Sequence, residues 1–419
     1  MTSSSLQDSP RYKWLLVATL FLCSTINYAD RTSITALFSL LKTDLGFTDV
    51  GLGALGSVFL WSYAFSSPFS GFLGDRVARG RLILGSLAGW SLIMALTGIV
   101  TSQWQLLAMR GALGIVEAMY LPAAVALVAE FHGPTTRGTA MSLMSLGNFI
   151  GMVAGGSIAG YMGELYGWRA PLVFLGVAGL VLAAVAWFIL PSQRHSPTPQ
   201  ANDKAAALSF PQSAASLLRT PSFLVIAAAG VFTAIGTWIF INWLPLYFRE
   251  NMSMTLATAG FFGSSLVSLS SAGGQAVGGV LSDRVARAGA HRRMWLQAVL
   301  IACASPLLLT FVFTRNLYAI MTALVVYSFL RTCADLNMMP LMMDLAGPNR
   351  GSTAVGFTNM VNTLAGGLGV FVAGYLKAGF GLDGVFAGIA GILALDAIML
   401  YSGYSLFLRR DLHAAGVKS

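Results

Sequence analysis

Asp30 and Arg31 stand side by side in an apolar run from Trp14 to Leu41, and Arg110 and Glu117 interrupt a second run of the same character. An ionised side chain at membrane depth costs roughly 2.5–3.5 kcal/mol on insertion scales. Four of them in such surroundings point to use: carboxyls that take up and release protons, and guanidiniums that hold an anion through a planar two-point fork. Tyr28 and Arg31 are three residues apart, as are Asn27 and Asp30, so a helix groups them on neighbouring faces. Arg110 and Glu117 are seven apart, two turns along one face. Asp30 and Glu117 are the candidate proton carriers, and Arg31, then Arg110, the candidate anion contacts, with Tyr28 beside them. A second reading stays open at this point, in which the four charges form static ion pairs that only neutralise one another.

Other polar residues fall in apolar surroundings. Tyr63 suits a donor to a carboxylate or hydroxyl, or a packed ring. Asn148 and Asn359, in glycine-rich stretches, suit either a bound solute or a neighbouring helix. Asn242 and Trp238 suit a cavity wall, and Trp238 equally an apolar filler. Arg331 and Asp335 lie one turn apart and either satisfy each other or offer a second anion contact. Asp344 reads as structural, and Asp396 has no partner recognisable from sequence.

The elements that must position these residues follow from composition. The 419 residues are 56% hydrophobic and 10% charged, against about 25% charged in a soluble domain. Such a chain cannot coat a water-soluble globule, so lipid is its solvent. Apolar stretches of about 20 residues are long enough to span a bilayer, and twelve are predicted: 14–38, 50–73, 82–101, 104–130, 139–163, 170–190, 221–248, 256–281, 294–313, 317–345, 352–377 and 384–408. The expected fold is an all-α membrane protein with twelve transmembrane helices in two pseudo-symmetric six-helix bundles. Residues 1–190 form the first bundle, 191–219 a Pro-, Ser- and Ala-rich cytoplasmic linker, and 220–419 the second bundle. The apolar run after Lys13 is too long for a cleavable signal, so it is expected to stay as the first span.

Of the 25 Lys and Arg, 17 fall in segments that are cytoplasmic if the N-terminus is, five fall outside and three lie within helices. That asymmetry places both termini in the cytoplasm of a cell-membrane protein. It also accounts for the net charge of +9 without nucleic acid. Cys23, Cys303 and Cys333 lie far apart in apolar stretches and read as packing residues. Gly147, Gly151 and Gly155 recur every four residues, with Gly156 and Gly160 continuing the series, so that helix backbones can approach closely.

The second half echoes the first. Gly71-Phe-Leu-Gly-Asp-Arg-Val-Ala-Arg79 returns as Gly279-Val-Leu-Ser-Asp-Arg-Val-Ala-Arg287, Arg137-Gly138 as Arg350-Gly351, and Ala159-Gly-Tyr-Met162 as Ala373-Gly-Tyr-Leu376. Parallel repeats of this kind rock about a midplane site. Asp75 and Arg76, with Asp283 and Arg284, are the candidate cytoplasmic latches, since an Asp is favoured at a helix N-terminus.

The segment from Gly71 to Arg81 resembles the signature loop of the major facilitator superfamily. Within it, Asn27-Tyr-Ala-Asp-Arg31, Arg110-Gly-Ala-Leu-Gly-Ile-Val-Glu117, Trp243-Leu-Pro-Leu-Tyr247, the stretch from Gly273 to Arg284 and that from Arg350 to Asn359 resemble the anion:cation symporter family. The resemblance implies proton-coupled import of an organic anion, such as a sugar acid or other carboxylate. It also implies that acids at positions 30 and 117 carry the protons and that the neighbouring Arg contacts the anion. The first- and fourth-helix motifs also resemble Spinster-like transporters, which leaves open a proton-coupled exporter of an amphipathic lipid or organic molecule. An enzyme is not expected: there is no phosphate-cradling Gly-Lys-Ser/Thr loop, metal-ligand cluster or nucleophile elbow, hence no cofactor and no metal. The expected partners are a small organic anion, protons and the bilayer, and the protein is expected to act as a monomer.

Overall fold

The computed structural model describes residues 10–74, 77–191, 216–347 and 350–416, and among them there are helices and no strand. The α-helices are α1 (Pro10–Ala36), α2 (Phe38–Leu45), α3 (Asp49–Gly74), α4 (Arg79–Leu96), α5 (Gln103–Glu117), α6 (Tyr120–Phe131), α7 (Pro134–Tyr166) and α8 (Arg169–Ile189). They continue as α9 (Pro221–Asn251), α10 (Leu256–Ala286), α11 (Arg292–Ala304), α12 (Thr310–Phe313), α13 (Leu317–Asp335), α14 (Met338–Ala346), α15 (Gly351–Gly403) and α16 (Arg409–Ala414).

Nine helical stretches among the described residues are long and apolar enough to cross a membrane. One of them, Thr353–Ala414, contains Gly381 at φ 66°, ψ 175°, where the helix breaks and the chain begins another span. Two more helices, α1 and α10, fall short of that apolarity because of what they carry: Asp30 and Arg31 in α1, and buried Ser264, Ser265, Ser268 and Ser271 in α10. Counting both sides of Gly381 and adding these two gives the twelve spans expected.

Three of the spans are broken, which the hydrophobic pattern alone did not predict. The span Gln103–Phe131 breaks between α5 and α6, and Leu317–Ala346 breaks between α13 and α14. Each break falls one turn before a proline, Pro122 and Pro340, whose ring removes the donor for the carbonyl four residues earlier. In the third, Pro306 opens a 3-10 segment, Ser305–Leu309, between α11 and α12. Glu117 is the last residue of α5 and Asp335 the last of α13, so both acids sit at the breaks.

The chain forms two compact units, Met1–Thr198 with Ile241–Ser265, and Pro199–Phe240 with Leu266–Ser419. In the first, the glycine series brings α7 onto the backbone of α1: a side chain at Gly147, Gly151 or Gly155 would collide with the carbonyls of Phe21, Thr25 and Ala29. Thr32 Oγ1 donates across the same seam to Met152 O at 3.1 Å. Gly114 sets α5 equally close to Phe59 and Tyr63 of α3. Helix α5 starts at a capping box in which Ser102 and Gln105 satisfy each other's free backbone N–H groups. The unit also holds Tyr120, whose hydroxyl meets Ser24 Oγ and donates to Leu20 O, both at 2.8 Å, and whose ring packs against Trp90.

In the second unit Phe240 stacks on Phe386 with centroids 4.7 Å apart, and Phe311 and Tyr327 complete the cluster. Gly274 and Gly278 seat α10 on the Phe329 and Cys333 backbone of α13.

Candidate binding and coupling site

Helix α1 brings Tyr28, Asp30 and Arg31 to the first unit's interior, α3 brings Phe59 and Tyr63, and α5 brings Arg110 and Glu117. The four charged groups lie together. Arg31 Nε donates to Glu117 Oε2 at 2.8 Å, with the Arg31 side chain 9% exposed and that of Glu117 fully buried. The arginine carbon lies 4.7 Å from the Tyr63 ring centroid, 4.9 Å from that of Tyr28 and 5.2 Å from that of Phe59. Arg110 stands 5.2 Å from Phe59, so one ring serves both guanidiniums. A cation over an aromatic face gains about 0.5–2 kcal/mol, the larger values when desolvated.

The site is incompletely satisfied. Asp30 is fully buried and neither carboxyl oxygen has a hydrogen-bond partner; its electrostatic neighbours are Glu117, Arg110 and Arg31, with Trp90 nearby. Arg110 Nε and Nη1 and Glu117 Oε1 are likewise buried without partners. Asn27 adjoins Glu117 without completing a hydrogen bond. Buried polar groups are nearly always paired, and each left unpaired costs about 1–3 kcal/mol, more if charged. A cluster of two acids and two guanidiniums with this many free donors and acceptors is suited to taking up a proton or an anionic group. Phe59 was missed in sequence because an isolated Phe in an apolar run carries no distinguishing signal.

The remaining candidates are placed variously. Asn148 is half-buried on α7, Asn242 is buried in the 241–265 segment of the first unit, and Asn359 is exposed on α15. Trp238 packs against Gly366 of α15. Arg331 donates to Asp335 Oδ2 at 2.6 Å and to Thr237 Oγ1 at 2.9 Å, so its fork is engaged within its own unit. Asp75 and Arg76 lie outside the described residues. Asp283 is exposed, 3.7 Å from Arg293, which also reaches Asp344 at 3.4 Å, while Arg284 is exposed at the end of α10. In the first unit Arg79 pairs with Glu130 at 2.8 Å.

The family profile described as the Major Facilitator Superfamily matches residues 20–370. The chain belongs to that superfamily. It is thus a multi-pass membrane transporter and not an enzyme. A relative described as an MFS-type efflux pump, from Mycolicibacterium smegmatis, is 27% identical over 88% of this chain and 86% of its own. One from Escherichia coli K12, described as a probable galactarate/D-glucarate transporter, is 25% identical over 93% of this chain and 95% of its own. Among solved structures, an inward-facing, unoccupied bacterial homologue of the lysosomal transporter Spinster aligns with TM-score 0.79. It is 19% identical, with 97% of this chain and 99% of that one covered, a level that speaks for the superfamily fold alone.

Proposed function

We propose that this superfamily member imports an organic anion, a sugar acid or another carboxylate, together with protons, by alternating access. The observation that carries the reading is the Arg31–Glu117 ion pair beside an unpaired, buried Asp30 and a partly unpaired Arg110. Glu117 and a substrate carboxylate compete for the same guanidinium. A proton on Glu117 removes its claim and frees Arg31 for the substrate; loss of that proton restores the ion pair and expels the anion. Asp30, among the same charges, is the second proton carrier. Tyr28, Tyr63 and Phe59 hold the Arg31 guanidinium in plane for a two-point contact. Asn148 and Asn242, of the same unit, are proposed as further substrate contacts. The sugar-acid description of a relative supports this cargo class, and the 17-to-5 charge asymmetry supports cytoplasmic termini in the cell membrane. The Asp283–Arg293–Asp344 cluster, and Asp75 with Arg76 and Arg284, are proposed as cytoplasmic latches.

The test is uptake of labelled galactarate or gluconate into proteoliposomes with an inward proton gradient. Accumulation that collapses when the gradient is dissipated supports the reading, and no accumulation of any sugar acid or other carboxylate sinks it. The three aromatic rings and the efflux-pump relative favour a second reading, proton-coupled export of an amphipathic molecule. The same vesicles separate the two by whether cargo moves with the protons or against them.

A further inference from the structure

An open groove on the first unit belongs neither to the charged site nor to the latches. Its volume is about 1410 Å³, and it is bordered by the start of α1, the start of α4 and the end of α8. Pockets for small solutes run to roughly 300–1,000 Å³. Arg11 and Arg81, both exposed, line it from the first turns of α1 and α4. The walls farther along the helices are apolar: Leu15 of α1, Leu84 and Ala88 of α4, and Leu180 and Trp187 of α8. The groove thus has a cationic mouth at the helix ends and a body that only hydrocarbon suits.

Two contacts hold the mouth together. Tyr12 Oη donates to Ile189 O at 2.8 Å, tying α1 to α8. Gly80 lies so close to the Pro191 carbonyl that a side chain there would collide with it, which brings the start of α4 against the chain beyond α8. Farther in there is room: a side chain at Gly85 would meet nothing within 4 Å. Trp187 and Phe188 stand out beside the groove, 69% and 88% exposed. A Trp at a membrane surface sits at headgroup level.

The charge at the mouth is uncompensated. The neighbouring Arg79 is taken by Glu130 at 2.8 Å, whereas among the described residues no acid lines the groove and no ion pair engages Arg11 or Arg81. In sequence, the adjoining stretches 1–9 and 192–215 bring Asp8 and Asp203 against Arg194 and Lys204, which leaves nothing to balance the two arginines. A guanidinium fork suits a phosphate in two-point geometry. Basic pockets between membrane helices bind anionic headgroups. An anionic head on a long apolar body is the chemistry that satisfies both ends of the groove.

We propose that the groove binds one anionic glycerophospholipid of the adjacent leaflet, with its phosphate held by Arg11 and Arg81 and an acyl chain laid along Leu84, Gly85 and Leu180. The lipid bridges α1, which carries Asp30 and Arg31, to α4 and α8. On the charge asymmetry the leaflet is the cytoplasmic one, but the binding does not depend on that orientation, on the cargo or on proton coupling.

The test is native mass spectrometry of the delipidated full chain in a neutral detergent, titrated with phosphatidylglycerol or phosphatidylcholine of the same acyl chains. The first lipid bound is expected to favour phosphatidylglycerol by roughly 10- to 30-fold, the gain of two arginines against an anionic headgroup. Equal binding of the two lipids overturns the proposal. Arg11→Gln with Arg81→Gln should abolish the preference, while Arg287→Gln with Arg292→Gln, the same loss of charge from exposed positions in the second unit, should keep it. Equal losses in the two double variants would reduce the effect to net charge and refute the site. Gly85→Phe fills the groove without altering charge and should weaken phosphatidylglycerol binding at unchanged Tm; wild-type binding in that variant would mean that no acyl chain lies there and sinks the proposal. Glycerol 1-phosphate should not compete. Displacement of the lipid by an equal concentration of it would mark a site for a soluble phosphate and overturn the assignment to lipid.

Discussion

Arg31 and Glu117, on different helices of the first unit, meet at 2.8 Å in a setting from which water is nearly excluded. Arg31 is bound on one side by a carboxylate and on the others by three aromatic rings, leaving its orientation little freedom. Removing one partner of a buried pair costs about 3–5 kcal/mol, because the other charge is stranded. Arg31→Ala is therefore expected to lower Tm markedly, while Glu117→Gln, which keeps an acceptor for Arg31 Nε, is expected to lower it little. Thermal unfolding of the two purified variants checks the order.

Glu117→Gln and Asp30→Asn remove protonation sites and keep side-chain shape. Both variants are expected to lose gradient-driven accumulation while retaining counterflow exchange of the same anion. Accumulation at wild-type level in both variants would rule out the coupling role.

Phe59 presents its ring to two guanidiniums, Arg31 and Arg110. Phe59→Ala removes both contacts and should weaken anion binding by roughly 5- to 30-fold, the equivalent of about 1–2 kcal/mol. Phe59→Tyr should retain most of the affinity. Titration calorimetry with the transported acid measures both.

Gly151 stands against the Thr25 backbone of α1, whereas a side chain at Gly85 of α4 meets nothing within 4 Å. Gly151→Leu should push α1 off α7, displace Asp30 and Arg31 with it, and reduce the yield of folded protein. Gly85→Ala should be neutral or stabilising by up to about 1 kcal/mol, through helix propensity. Size-exclusion profiles and Tm values of the pair report the difference.

Asp44, at the end of α2 and outside the spans, accepts from the Trp168 indole at 2.6 Å and from Arg169 at 2.8 Å. These bonds, Trp168 first, hold its carboxyl below the ordinary value of 3.8. A carboxyl lowered on folding stabilises the fold above its unfolded value, and that contribution is lost as pH falls through the lower, folded one. The Tm gap between wild type and Asp44→Asn should thus be present at neutral pH and close below pH 3.8, and it should shrink with added salt because the pair is exposed.

The amino-acid sequence by itself determined that this is an all-α membrane protein of twelve spans, since the count follows from where apolar runs of sufficient length begin and end. It also marked Asp30, Arg31, Arg110 and Glu117 as charges that lipid cannot satisfy and that must therefore find partners inside the protein. The tertiary structure alone decided the pairing. Helical period places Arg31 on a face, but which acid it meets depends on the rotation and separation of α1 and α5. Those are set by glycine contacts with carbonyls on other helices and by the break before Pro122. For the same reason Phe59, one ring among 26 Phe, gained meaning only once α3 and α5 had been packed. Spacing within a helix is local chemistry, whereas contact between helices is a property of the whole packing.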